Sequence, residues 1–436
     1  MNKSALILSV ILATSPALMA QEITLDECIR TALDSSPSLG AAQSRLTAAL
    51  QAAEAAEAAY YPFISLGAGF AQTDNPPQAF MMSLNQRTLD MANPAFNPNQ
   101  PGDTQNLRAS VTLQYRLFDP GRGQMAKIAD LSAEAASLSK DIAHNQLVFE
   151  VTRGYYRILQ ISELLKVQQK TAESIKESLR VANERLNAGS SVKTDVLNLE
   201  VQLAQASEQV IKAGNMSKLA IAALNTAIGK EIVSQTRMPA EKMPEFKAPE
   251  DTPEKARIEA RPEMKAMTTV KEIKLKALKK AKSEYYPSVN AFGSQDFDSE
   301  TAKDFEKSYM VGLNAEVKLF DGFMRSPQVK QAQAELDAAT ADEAKARSEL
   351  KLDIMQSHIG LQEAWERIQI TGKSLQSAEE SLRITQERYK SGSADITELM
   401  SAQVGHTAMQ TSNISAMYDY VIAASNLKRA YGELVK

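Results

Sequence analysis

The chain has 436 residues, with 49 Lys and Arg against 53 Asp and Glu and a formal net charge of −4. Charges of both signs are interspersed throughout, which removes the basic face that nucleic-acid binding needs. The single cysteine, Cys28, excludes an intrachain disulfide, and the wealth of Ala, Glu, Lys, Gln, Leu and Ser favours long helices.

Residues 1–20 read as a secretory signal: Lys3 supplies the positive end, Ala5 to Ala13 a short apolar run, and Ala20 a cleavage point before Gln21. The run is too short to span a bilayer as a helix. Cys28 follows Leu25-Asp26-Glu27, not the small residues that precede a lipidated cysteine. With no later apolar run of 18 residues, the mature chain is either a secreted soluble protein or a β-barrel membrane protein.

Residues 22–59 carry a helical pattern with a break near Pro37, and Tyr60-Tyr61-Pro62 stops it, because proline cannot continue the ladder. Strands follow at about 63–72 and 107–118. From Leu107 to Leu117 the alternation is strict, with Leu107, Ala109, Val111, Leu113, Tyr115 and Leu117 on one face. Arg108, Ser110, Thr112, Gln114 and Arg116 take the other. A long connection rich in Asn, Pro and Gln joins the two strands. A helix is expected over 123–187, about 100 Å at 1.5 Å per residue. Its apolar steps of three and four mark a helix–helix seam. A tip at 187–194 turns the chain into a second helix, 195–229. Residues 231–256, with several prolines, read as an extended linker.

The remainder repeats this order. Tyr60-Tyr61-Pro62 matches Tyr285-Tyr286-Pro287, Leu117-Phe118-Asp119 matches Leu319-Phe320-Asp321, and Gly189 matches Gly392. Gly229 matches Gly432. The first repeat is therefore 21–230 and the second 257–436, with strands at about 288–297 and 308–320, a long helix 324–390, a tip 390–395 and a helix 396–434. The first copy carries 23 more residues between Pro62 and Asp119 than the second has between Pro287 and Asp321. In both tips a glycine ends the incoming helix in the left-handed conformation, and nearby Ser and Asp side chains are available to cap the next.

Taken together and in this order, the duplication, the Tyr-Tyr-Pro and Leu-Phe-Asp phrases and the two Gly-Ser tips resemble the TolC-like outer-membrane efflux family. The resemblance covers essentially the whole mature chain. It implies a mixed, mainly α fold in which long antiparallel coiled-coil helices form a periplasmic tunnel. Four strands per subunit would join a twelve-stranded β-barrel in a homotrimer seated in outer-membrane lipid. It implies a passive exit duct for drugs, small toxic compounds or secreted polypeptide. A periplasmic adaptor and an inner-membrane transporter of the RND or ABC type would be its partners.

On that footing the polar strand positions Arg108, Gln114, Arg116, Asn314, Glu316 and Lys318 would line the barrel lumen. Tyr60, Tyr61, Tyr285 and Tyr286 would be interfacial aromatics or junction packing. The family pattern G-x-x-x-x-V-D-V-L-D-A stands here as Gly392 to Ala402. Glu398 occupies the first acidic position of the gate and Ser401 the second, so half of the acidic ring is missing. Asp395 would be an extra gate carboxylate or a helix cap, Glu398 a gate charge or a solvated helix-face residue, and Tyr389 a latch between the tips. Leu186, Gly189, Ser190, Ser191, Gly392 and Ser393 would meet the adaptor.

No catalytic or cofactor site is expected. His144, His358 and His406 lack metal-ligand spacing, and no nucleophile elbow or phosphate loop is present. The competing readings are a periplasmic coiled-coil adaptor, against which the duplicated strand hairpins argue, and a soluble helical scaffold.

Overall fold

The computed structural model describes residues 23–93, 97, 99–232, 243, 245–249 and 258–433. The signal segment and most of the 231–256 linker lie outside them. In chain order the helices and strands are α1 (Leu25–Ser35), α2 (Pro37–Glu57), β1 (Phe63–Thr73), α3 (Pro76–Asn85), β2 (Thr104–Phe118), α4 (Arg122–Asn187) and α5 (Lys193–Ala227). Then come α6 (Pro262–Ser283), β3 (Ser288–Ser299), β4 (Glu306–Glu316), α7 (Arg325–Lys390) and α8 (Ile396–Tyr431).

Two of these elements differ from the sequence expectation. Helix α3 lies in the long connection rich in Asn, Pro and Gln, where no helix is expected from the sequence; Asn75 caps it by accepting from the Gln78 amide, and Pro76 sits where a first-turn proline is tolerated. Strand β4 ends at Glu316, so residues 317–320 are not strand. Lys318 thus lies beyond the sheet, 3.8 Å from Glu284. The alternation continues past Glu316 in sequence, but the ladder to β3 closes there.

The chain divides into two compact units, and each draws on both repeats. One takes Met1–Ala41, Asp141–Arg261 and Ser348–Lys436, the other Ala42–Lys140 and Pro262–Arg347. The first unit is helical. Thr24 and Glu27 form a reciprocal capping box on α1. Cys28, Ala32, Val151, Tyr155, Leu224 and Ile228 are among the residues of its core. Burial pushes the Cys28 thiol up to about 11, which keeps it in the unreactive thiol form. A piece of the linker docks here: Phe246 meets Tyr420 edge-on at 5.2 Å, and the Tyr420 hydroxyl donates to the Lys247 carbonyl at 2.8 Å.

Gly229 ends the first repeat in this unit at φ 70°, and a Cβ there would stand 2.6 Å from the Ser35 carbonyl oxygen. Its counterpart Gly432 also has a positive φ, 76°, but a Cβ would meet only Arg261 Cγ at 3.6 Å. Gly229→Ala is therefore expected to destabilise by about 2 kcal/mol or more, the left-handed penalty plus a backbone clash, and Gly432→Ala by about 1 kcal/mol. Thermal unfolding of the two variants checks the order.

The second unit holds a four-stranded antiparallel sheet in the order β1-β2-β3-β4. Lys271–Glu343 at 2.6 Å and Lys274–Glu335 at 3.0 Å tie α6 to α7. The repeated phrases acquire physical roles here. Asp119 accepts from the amides of Gly121 and Arg122, and Asp321 from those of Met324 and Arg325, so the aspartate of each Leu-Phe-Asp starts a long helix. The guanidinium of Arg122 lies 4.3 Å over the Tyr60 ring, and that of Arg325 lies 4.7 Å over Tyr285. The first tyrosine of each pair thus stacks at the strand–helix junction and is 42 % and 49 % exposed, while Tyr61 and Tyr286 are more open, at 74 % and 64 %.

Candidate functional site

At the two helical tips the backbone turns are nearly identical. Gly189 (φ 73°) and Gly392 (φ 77°) take the left-handed position, and the amides of Ser190 and Ser393 reach back to the carbonyls of Arg185 and Arg388 at 2.9 and 2.8 Å. The side chains differ. In the second tip Asp395 caps α8, accepting from the Glu398 amide at 2.8 Å. In the first tip the N-cap of α5 is Val192, which offers no side-chain cap. Ser191 instead donates to the Asp195 carboxylate at 2.8 Å, so the capping expected of both tips holds for the second only.

A shared apolar cluster joins the tips. Ala182, Val196, Leu199, Leu382, Tyr389, Ile396 and Leu399 form its buried centre, with Leu186 packed against it. Leu186 is half-buried there, whereas Gly189, Ser190, Gly392 and Ser393 are exposed. Arg185 crosses from the first tip to the second: one guanidinium nitrogen donates to the Tyr389 and Lys390 carbonyls at 2.8 and 2.7 Å. The same guanidinium lies 4.7 Å over the Tyr389 ring. Burial raises the Tyr389 phenol above its ordinary value. Arg185 was not singled out by the sequence reading. Its signal in the sequence is a Glu-Arg pair that precedes each tip glycine, Glu184-Arg185 and Glu387-Arg388, with Arg388 the equivalent residue.

Arg388 behaves differently. It donates to the Ser393 carbonyl of its own turn at 3.0 Å and pairs with Glu398 at 3.1 Å. Glu398 is therefore an exposed carboxylate with a cation beside it. Glu398, Ser401 and Asp395 line one open groove between α7 and α8, of about 560 Å³, together with Ser381, Thr385 and His406. Above the tips a charge clamp recurs in both copies. Arg180 binds Glu177 and Glu184, and Arg383 binds Glu380 and Glu387. The guanidinium hydrogen bonds hold Glu177 and Glu380 below the usual carboxylate range.

The sheet presents two unlike faces. Register puts Ile64 opposite Leu113, Leu66 opposite Val111 and Phe70 opposite Leu107, and Gly293 opposite both Leu113 and Val311. The face continues across β4 through Tyr309, Val311 and Leu313. Its large side chains are open to the surroundings: Leu66 80 %, Tyr309 78 %, Val311 74 % and Leu313 70 % exposed. Such a contiguous apolar patch does not face water in a soluble monomer. The opposite face carries Arg108, Thr112, Gln114 and Arg116 of β2 and Asn314 and Glu316 of β4. Arg108 pairs with Asp296 at 3.0 Å. Gln114, Arg116, Asn314, Glu316 and Lys318 line one cavity of about 1310 Å³. Among the described residues no helix is long and apolar enough to cross a membrane, and no cluster of His, Cys, Asp and Glu is suited to a metal.

Residues 28–230 and 255–433 match the family described as outer membrane efflux protein. The chain belongs to that family. Protein CyaE of Bordetella pertussis is 24 % identical over 422 residues, covering 95 % of this chain and 83 % of its own length. The outer membrane protein TolC of Vibrio cholerae is 23 % identical, with 96 % and 92 % covered. Among solved structures, the outer membrane protein VceC of Vibrio cholerae superposes with a TM-score of 0.80 at 17 % identity, over 94 % of this chain and 96 % of that one. The CmeC outer membrane channel of Campylobacter jejuni superposes with a TM-score of 0.83 at 15 % identity, over 94 % and 86 %.

Members of the outer membrane efflux family are channels, and this chain is an outer-membrane exit duct, not an enzyme. It resides in the outer membrane with a periplasmic portion. Channels of this family are trimers that work with an adaptor and inner-membrane transporters. The adaptor and soluble-scaffold readings are thereby set aside.

Proposed function

We propose that three copies of this chain close a twelve-stranded barrel with the apolar sheet face toward lipid and the polar face toward a water-filled lumen. The observation that carries this reading is the sheet itself. Four strands are too few to close alone, and β1 and β4 are each paired on one side only. Pairing β4 of one copy with β1 of the next removes every edge, as a bilayer demands. Arg108, Gln114, Arg116, Asn314 and Glu316 then line the lumen, and Lys318 sits at its helical rim.

The tips form the periplasmic gate and the adaptor contact. Tyr389, held by Arg185, is the latch between the two tips of one subunit. Glu398, paired with Arg388, contributes a charge-balanced ring rather than a purely acidic one, beside Ser401 in the same groove. Asp395 acts as the cap that fixes where Glu398 points. The exposed Gly189, Ser190, Gly392 and Ser393, with Ser191, meet the adaptor, and Leu186 supports them from the packed cluster. An RND or ABC transporter in the inner membrane supplies the energy.

Purified protein should run as an SDS-resistant trimer that dissociates on heating. Cysteines placed along β1 and β4 should cross-link between copies. A chain that stays monomeric in detergent, with no link between copies, would overturn the shared-barrel reading.

A further inference from the structure

The proposed barrel and gate give no role to the 23 additional residues of the first repeat. They lie in the β1–β2 connection. The matching β3–β4 connection, Glu300–Phe305, contains no helix. The additional length holds α3, and α3 does not stand away from the sheet. It packs against both β2 and β4, and these strands flank β3, so the helix crosses β3 at the loop end. Asp298 and Ser299 of β3 are fully buried there, in a strand otherwise only half-covered.

The side chains show which face is crossed. The Gln86 side-chain amide donates to the Gln105 carbonyl at 2.6 Å and to Asn106 Oδ1 at 2.9 Å. Asn106 in turn donates to Asp298 Oδ1 at 2.6 Å. Arg87 pairs with Glu306 at 3.2 Å. Asn106, Asp298 and Glu306 all belong to the polar face, the one that carries Arg108. Arg87 ends α3 with φ 54°, a left-handed position that glycine normally fills. A non-glycine residue persists there when its surroundings hold it.

The contact is polar and incompletely satisfied. Asp298 Oδ2 and Gln86 Oε1 are buried without a protein hydrogen-bond partner among the described residues. Buried polar atoms left unpaired weaken an attachment, so this is a fastening that can release, unlike an apolar seam.

We propose that the inserted segment restricts the outward mouth of the duct. Three copies of α3, one per subunit, lie across the luminal face at the loop end and set the size of solute that passes. This rests on the luminal assignment of the polar face, and the test separates the two. Gln114→Cys places a thiol on the polar face, deeper than the strap, and Leu113→Cys places one on the apolar face. Native Cys28 is buried and stays silent. Intact cells are treated from outside with a small charged maleimide or a bulky polyethylene-glycol maleimide, and SDS-resistant trimers are scored.

The small reagent should label Gln114→Cys, and the bulky one should label it slowly. Replacing Asp74–Asp103 by the shorter Glu300–Phe305 sequence should raise the bulky-reagent rate about tenfold, because labelling then no longer waits for the strap to open. Gln86→Ala, which removes both bonds donated to β2, should give a partial rise. Equal bulky-reagent rates with and without the insert, while the small reagent still labels, would sink the mouth restriction and leave the duct standing. Labelling of Leu113→Cys but not of Gln114→Cys by the small charged reagent would overturn the luminal assignment, and the restriction with it.

Discussion

Val311→Arg is expected to lower the stability of the assembled barrel by about 2–4 kcal/mol per subunit, the cost of a cation near mid-bilayer on the face proposed to meet lipid. Val311 is 74 % exposed in the single chain, in a row with Tyr309 and Leu313. In water an exposed valine exchanged for arginine would cost little, so the penalty itself reports lipid. The control is Asn314→Arg on the opposite face of the same strand, where the proposed wet lumen would accept the charge. The heating temperature at which the SDS-resistant trimer dissociates reads both. A large drop for Val311→Arg beside a small one for Asn314→Arg supports the face assignment. Equal, small effects would mean that neither face meets lipid.

Removing the Arg185 side chain should have the second large effect, at the periplasmic end. Arg185→Ala deletes two charge-assisted hydrogen bonds to the Tyr389 and Lys390 carbonyls and the stacking on the Tyr389 ring. Such bonds are worth about 1.5–3 kcal/mol each when desolvated. Arg185 is half-buried, so a combined loss of about 2–3 kcal/mol is expected, a shift of roughly 30- to 150-fold in the balance between latched and released tips. Arg185→Lys should restore little of it, because an ammonium replaces neither the planar stack nor the guanidinium fork. Single-channel recording in planar bilayers should show longer and more frequent open events for Arg185→Ala. Glu398→Gln should leave the latch intact but free Arg388, shifting ion selectivity toward anions. If Arg185→Ala conducts like the unaltered protein, the inter-tip contact does not limit opening.

Much of this protein is legible in its sequence because the deciding signals are local. Strict alternation from Leu107 to Leu117 needs only the two-residue period of a strand. The ends of α4 and α7 follow from glycines with positive φ, and Pro37, Pro62 and Pro287 mark breaks that proline imposes on any chain. Helix α3 sits within a connection of Asn, Pro and Gln that masks its short apolar pattern, and Asn75-Pro76 is its only local start signal. At the tips the composition shows capping residues without saying which will cap: Asp395 does so, while Ser191 and Asp195 bond to each other.

The sequence by itself determined the repeat, the helix and strand periods and the unlike faces of the sheet, since each depends on residues close in the chain. Only the tertiary structure decided how the two repeats combine. The compact units cut across them, because helices of one copy bury their apolar stripes against helices of the other. It decided that equivalent arginines diverge, Arg185 reaching the second tip and Arg388 neutralising Glu398. It also decided that the inserted helix lies over the polar face, through contacts between Gln86, Asn106 and Asp298. Asn106 and Asp298 are separated by nearly half the chain, and no local pattern encodes such a pairing.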